Sequence, residues 1–105
     1  MDLELKDKVA VVGGASKGLG RACAEALAEE GAKVVMCSRS QADLDCAAQE
    51  IREKTRADVL VIAGDLEQHD VIRKLIGATV ERFGRLDVLV NNSGGPPLAK
   101  AVDAS

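Results

Sequence analysis

Val11–Gly20, VVGGASKGLG, closes an apolar run and opens a periodic one. Four glycines fall within positions 13–20. Upstream, Lys8-Val9-Ala10-Val11-Val12 reads as a short strand buried on both faces, the kind found in parallel sheets. Downstream, Leu19, Ala22, Cys23, Ala26 and Leu27 recur at helical spacing, and Gly31 marks the stop. A glycine-rich turn between a buried strand and a helix sets the pattern for the rest of the chain.

That pattern repeats. Lys33–Ser38 is a second strand, and Ser40 caps a second helix with stripe Leu44, Ala47, Ala48, Ile51. Val59–Ala63 is a third strand, stopped by Gly64-Asp65. A third helix carries Ile72, Leu75, Ile76, Thr79, Val80 and Phe83, and Gly84 closes it. Leu86–Val90 is a fourth strand, Asn91–Pro97 a loop of turn-formers, and Leu98–Ser105 the expected start of another helix. Strands alternating with helices predict an α/β fold with a parallel sheet and helices on both faces. Right-handed crossovers favour strand order 3-2-1-4, a partial Rossmann fold truncated after strand four.

In such a sheet a ligand binds beyond the carboxyl ends of the strands, where strand order reverses. The glycine stretch leaves the first strand at that point. A helix N-terminus offers unpaired N–H groups and partial positive charge, and glycine lets the backbone approach a pyrophosphate. The spacing is not GxGxxG, because Cys23 stands where Gly or Ala is required, and not a P-loop, because Leu19 stands at its lysine position. It is GxxxGxG: Gly14, Gly18, Gly20. A turn without ligand is the competing reading.

The end of the second strand reads Cys37-Ser38-Arg39-Ser40, with no acid for a ribose 2′-hydroxyl. Arg39 suits a 2′-phosphate, Ser38 and Ser40 offer hydroxyls, and Lys17 offers a second cation. Two cations and no carboxylate favour NADP(H).

GGASKGLG, GDL at 64–66 and NNSG at 91–94 resemble the short-chain dehydrogenases/reductases, whose patterns are TGxxxGxG, a third-strand end with Asp, and NNAG. Within that family, VVGGASKGLGRACAEALAEEGAKVVMCSRS and RFGRLDVLVNNSGGPP look most like 3-oxoacyl-acyl-carrier-protein reductases of fatty acid biosynthesis. The resemblance implies that Gly14, Ser16, Lys17, Gly18, Leu19 and Gly20 surround the pyrophosphate and adenosine ribose. It implies that Arg39 meets the 2′-phosphate, that Asp65 and Leu66 border the adenine, and that Asn92 and Gly94 line the strand-four side. Two positions depart from the pattern: Gly13 replaces the first threonine, and Ser93 the alanine of NNAG.

The family's proton donor is a tyrosine followed by a lysine four residues later. The chain contains no tyrosine. Residues 1–105 are therefore expected to be the NADP(H)-binding N-terminal half of an oxidoreductase, without catalytic residues and inactive alone. The alternatives are a non-catalytic nucleotide-binding module and a self-associating truncated fragment. With strand four as a bare edge, a dimer or larger assembly across strand four and residues 91–105 is expected.

The bulk numbers agree with a single globular domain: 105 residues, 47% hydrophobic, 30% charged, net charge −3. The acidic balance argues against nucleic-acid and membrane-surface partners. No apolar run approaches the ~20 residues that span a bilayer. Met1–Lys8 lacks a signal-peptide pattern, and the three cysteines match no zinc or CxxC spacing. Cys23 and Cys37 are expected in the core, no metal is expected, and the expected compartment is the cytoplasm. His69, the single histidine, is expected at the surface.

Overall fold

The computed structural model describes residues 5–91 and 100–103. The elements run β1 (Val9–Gly13), α1 (Gly18–Glu29), β2 (Lys33–Ser38), α2 (Gln41–Thr55), β3 (Val59–Ala63), α3 (His69–Phe83), β4 (Val88–Asn91) and β5 (Lys100–Asp103). They form one sheet of order β3-β2-β1-β4-β5. The first four strands are mutually parallel, in the expected order 3-2-1-4. The chain therefore has a Rossmann-like α/β fold.

The side-chain alternation of β1 and β2 divides the core in two. Val12, Val34 and Met36 face α1 and α2, where they meet Ala24, Ala28, Leu44, Ala47, Ala48 and Ile51. Val9, Val11, Val35 and Cys37 face the other way, toward Leu75 of α3. Every residue of β1 is buried, which is why its sequence is continuously apolar rather than alternating. α2 behaves as its stripe predicts: Leu44, Ala47, Ala48 and Ile51 are fully buried, and the Ser40 side chain accepts from the Asp43 N–H at 3.3 Å.

α1 is rotated from the expected stripe. Gly20, Ala24 and Ala28 are its buried residues, Cys23 and Leu27 are half-buried, and Leu19, Ala22 and Ala26 are exposed. Small residues at i, i+4 and i+8 let the helix lie close against the sheet. A Cβ on Gly20 would overlap the Gly14 carbonyl. Close approach, not bulk, selects the face. Cys37 is in the core as expected; Cys23 is only half-buried.

α3 buries Leu75 and Thr79 but leaves Ile76 42% and Val80 47% exposed. One side of its stripe meets the sheet, and the other faces outward beside Leu86 and Leu89.

The C-terminal region differs from expectation. Lys100–Asp103 is a strand rather than the beginning of a helix. It pairs antiparallel with β4, Val88 opposite Asp103 and Asn91 opposite Lys100. β4 is thus an interior strand and not a bare edge: its outward N–H and C=O groups find main-chain partners in β5. At its other side β4 is tied to β1 beyond the ladder. Asp87 accepts from the Val9 N–H, and its own N–H donates to the Val9 carbonyl.

Candidate functional site

A cleft of about 460 Å³ opens at the carboxyl ends of β1, β2 and β3. Its walls include Gly14, Ser16, Lys17, Ser38, Arg39, Ser40, Asp65 and Leu66. The fold thus assembles eight of the sequence-derived candidates from three separate segments.

The loop from β1 to α1 turns on two glycines in the left-handed region, Gly14 at φ 63° and Gly18 at φ 57°. The Ala15 N–H donates to the Cys37 carbonyl at 3.1 Å and holds the loop against the end of β2. Lys17 is the N-cap of α1, without a side-chain cap bond, and the first turn carries no acid. α2, by contrast, has both a serine cap and Asp43. The start of α1 therefore keeps its N–H groups and partial positive charge for an external anion. A Cβ on Gly18 would meet nothing within 4 Å, so this turn borders open space.

The serines form a chain. The Ser38 hydroxyl donates to Ser16 Oγ at 3.0 Å and accepts from the Ser40 N–H at 3.2 Å. Ser38 is buried and committed to this network; the Ser16 hydroxyl proton remains available to the cleft. Arg39 is exposed at the cleft wall and takes part in no ion pair among the described residues. Lys17 is paired: its Nζ lies 3.3 Å from Asp43 Oδ2.

Beyond β3, the Gly64 N–H donates to the Ser38 carbonyl at 2.8 Å. A Cβ on Gly64 would come 2.7 Å from Val71 Cγ1, so the bare backbone admits α3 here. Asp65 Oδ1 accepts from the Glu67 N–H at 2.9 Å, which shapes the turn into α3. Leu66 lies over Gly13, where its Cδ1 occupies the space a side chain at 13 would take. Leu66 lines both the polar cleft and a small apolar hollow of about 60 Å³ under α3.

Three other candidates have different placements. Gly18 opens α1, Gly20 is buried beneath it as a packing residue, and Leu19 is 51% exposed and does not line the cleft. Asn92 and Gly94 lie outside the described residues. Sequence reasoning missed Cys37, Asp43, Gly64 and Glu67 in the cleft wall. Asp43 belongs to the first turn of α2, and its place in the cleft depends on how α2 leaves β2. Burial, with the charge of Asp65 second, pushes the Cys37 thiol above its ordinary range, so it stays protonated at neutral pH. Its Sγ lies 3.7 Å from the Gly64 carbonyl. Among the described residues no group of His, Cys, Asp and Glu is arranged to hold a metal ion.

The family model of the short chain dehydrogenases matches residues 8–105. The chain belongs to the short-chain dehydrogenase family. Its relatives in that family include 1,6-dihydroxycyclohexa-2,4-diene-1-carboxylate dehydrogenase of Pseudomonas putida, 40% identical over 100 residues, which are 95% of this chain and 36% of that protein. Among solved short-chain dehydrogenase structures, L-sorbose reductase from Gluconobacter frateurii, complexed with NADPH and L-sorbose, superposes with TM-score 0.87 at 38% identity. That match covers 90% of this chain and 36% of the other. An actinorhodin polyketide ketoreductase with NADPH gives TM-score 0.80 at 36% identity, over 91% and 36%. The chain thus spans little more than a third of the length of these relatives.

Proposed function

We propose that residues 1–105 form the NADP(H)-binding N-terminal part of a short-chain reductase that moves hydride between nicotinamide and a carbonyl or hydroxyl substrate. The observation that carries this reading is the cleft itself: an uncapped α1 N-terminus facing open space, with the Arg39 guanidinium, which has no ion-pair partner among the described residues, at the adjoining wall. In this reading the α1 N-terminus and the Ser16 hydroxyl meet the pyrophosphate. Gly14, Gly18 and Gly20 allow its approach, with Leu19 alongside and Lys17 turned to the adenosine ribose and its 2′-phosphate. Arg39, with Ser38 and Ser40 behind it, receives the 2′-phosphate. Asp65 and Leu66 border the adenine, and Asn92 and Gly94 extend the site along strand four. The bound cofactor supplies the hydride.

The family proton donor has no candidate in this sequence, which contains no tyrosine. The 105 residues alone are proposed to bind cofactor without turnover. Substrates of the 3-oxoacyl-acyl-carrier-protein class remain the proposal that the sequence resemblance supports. The proposed compartment is the cytoplasm, in keeping with three free cysteines. Self-association is also proposed. With β5 on β4, its support shifts from a bare strand edge to the outward Ile76 and Val80 of α3.

Titration of the chain with NADPH and NADH, followed by nicotinamide fluorescence, tests the cofactor reading. NADPH is expected to bind tighter than NADH. Arg39→Ala is expected to weaken NADPH about ten-fold or more while sparing NADH, as for the loss of one charge-assisted hydrogen bond. Equal affinities that ignore Arg39 overturn it.

A further inference from the structure

Lys17 and Asp43 come from different segments, the glycine loop and the first turn of α2, and meet across the mouth of the cleft at 3.3 Å. Both line its wall. The wall holds two cations, Lys17 and Arg39, and three carboxylates, Asp43, Asp65 and Glu67. Asp65 is engaged by the turn after β3, and Arg39 has no ion-pair partner among the described residues. Asp43 alone of the three is paired with a cation of the cleft. Its carboxylate is not needed for the helix cap, because Ser40 Oγ is met by the Asp43 backbone N–H.

We propose that Asp43 is a specificity-determining residue that, by holding Lys17 as its own counter-ion, lowers the cleft's preference for an adenosine carrying a 2′-phosphate. The inference rests on the nucleotide reading above and concerns how strongly that site discriminates. A 2′-phosphate entering beside Arg39 carries close to two negative charges. It competes with Asp43 for Lys17. An adenosine without that phosphate does not. The preference is set by Arg39 and damped by Asp43. The two side chains are 78% and 45% exposed, so screening keeps the effect modest, about two- to five-fold.

The test is a titration of the chain with adenosine 2′,5′-bisphosphate and with 5′-AMP, ligands that differ only in the 2′-phosphate. It uses wild type, Asp43→Asn, Lys17→Ala and the double variant at low salt, read by calorimetry or NMR shifts. Asp43→Asn is expected to bind the bisphosphate about two- to five-fold tighter with 5′-AMP unchanged, and the gain is expected to vanish on the Lys17→Ala background. An equal gain for both ligands, a gain that persists without Lys17, or no gain overturns the assignment. If wild type binds both ligands and the variants do not separate them, only the role of Asp43 falls. If wild type binds neither, the nucleotide reading falls, and this inference with it.

Discussion

Asp87 and Val9 are joined by two hydrogen bonds, one through the Asp87 side chain at 2.8 Å and one through its backbone N–H at 2.9 Å. The carboxylate is buried and also accepts from Arg85 at 2.6 Å. It continues the β1–β4 ladder past the start of β4, at the sheet end opposite the cleft. Its pKa is held below the usual carboxylate range, first by the Arg85 hydrogen bond, against the opposing cost of burial, and then by the Val9 N–H. A depressed folded-state pKa means that the stabilisation is complete above the unfolded value of about 3.9 and is lost as pH falls through the folded value. Urea denaturation followed by far-UV circular dichroism between pH 7 and 3 is expected to show that loss in wild type and less of it in Asp87→Asn. Asp87→Ala is expected to cost about 2 kcal/mol at pH 7, because the Val9 N–H is left without its partner. Identical acid sensitivity of wild type and Asp87→Asn would contradict this account.

Gly18 and Gly20 are glycines for different reasons, and alanine separates them. At Gly18 there is open space but φ is 57°, so alanine meets only the left-handed backbone, at about 1–2 kcal/mol. At Gly20 the added Cβ collides with the Gly14 backbone, which has no rotamer to give. Gly20→Ala is expected to cost more than Gly18→Ala, about 3 kcal/mol, and to separate α1 from β1. Denaturation midpoints rank the two, and the reverse order would refute the distinction.

Gly13 and Leu66 are sterically coupled. The Leu66 side chain fills the volume over Gly13, beside Asn91. Restoring the hydroxyl residue of the family pattern, Gly13→Thr, is expected to displace Leu66 and destabilise the chain by about 1–3 kcal/mol. Leu66→Ala costs packing on its own but makes room. The double variant is therefore expected to be more stable than the sum of the single changes predicts, by about 1 kcal/mol in a double-mutant cycle. Strict additivity is the outcome that sinks the coupling.

The three thiols are expected to differ in reactivity. Cys46 is exposed on α2, and Cys37 is buried in the cleft floor with its pKa raised by desolvation. Alkylation of the folded chain at pH 8, mapped by mass spectrometry, is expected to modify Cys46 first and to leave Cys37 unmodified until urea unfolds the protein. Labelling of Cys37 as fast as Cys46 would show that the cleft floor is open.

The strand and helix segments, the cap of α2 and the placement of the glycine loop followed from local signals, and the right-handed crossover rule ordered the strands. Buried parallel strands are continuously apolar, Ser40 begins a periodic stripe, and glycines mark where a strand gives way to a helix. Those signals involve residues near one another in the chain, and so did the candidates Gly14 and Arg39; Ser16 and Asp65 entered as candidates through the family resemblance. Other features depend on what arrives from far away. Which face of α1 is buried was decided by the contact of Gly20 with the Gly14 backbone, and its apolar stripe pointed elsewhere. The partner of β4 was decided by unpaired main-chain groups that drew in Lys100–Asp103 as a strand. The carboxylate of Asp43 reached Lys17 only because β2 lies beside β1 and turns α2 over the glycine loop. Sequence alone determined the βαβ scaffold and the position of its anion-ready turn. Tertiary structure decided which charges and side chains share the cleft, because pair distances between separate segments are set by packing rather than by spacing along the chain.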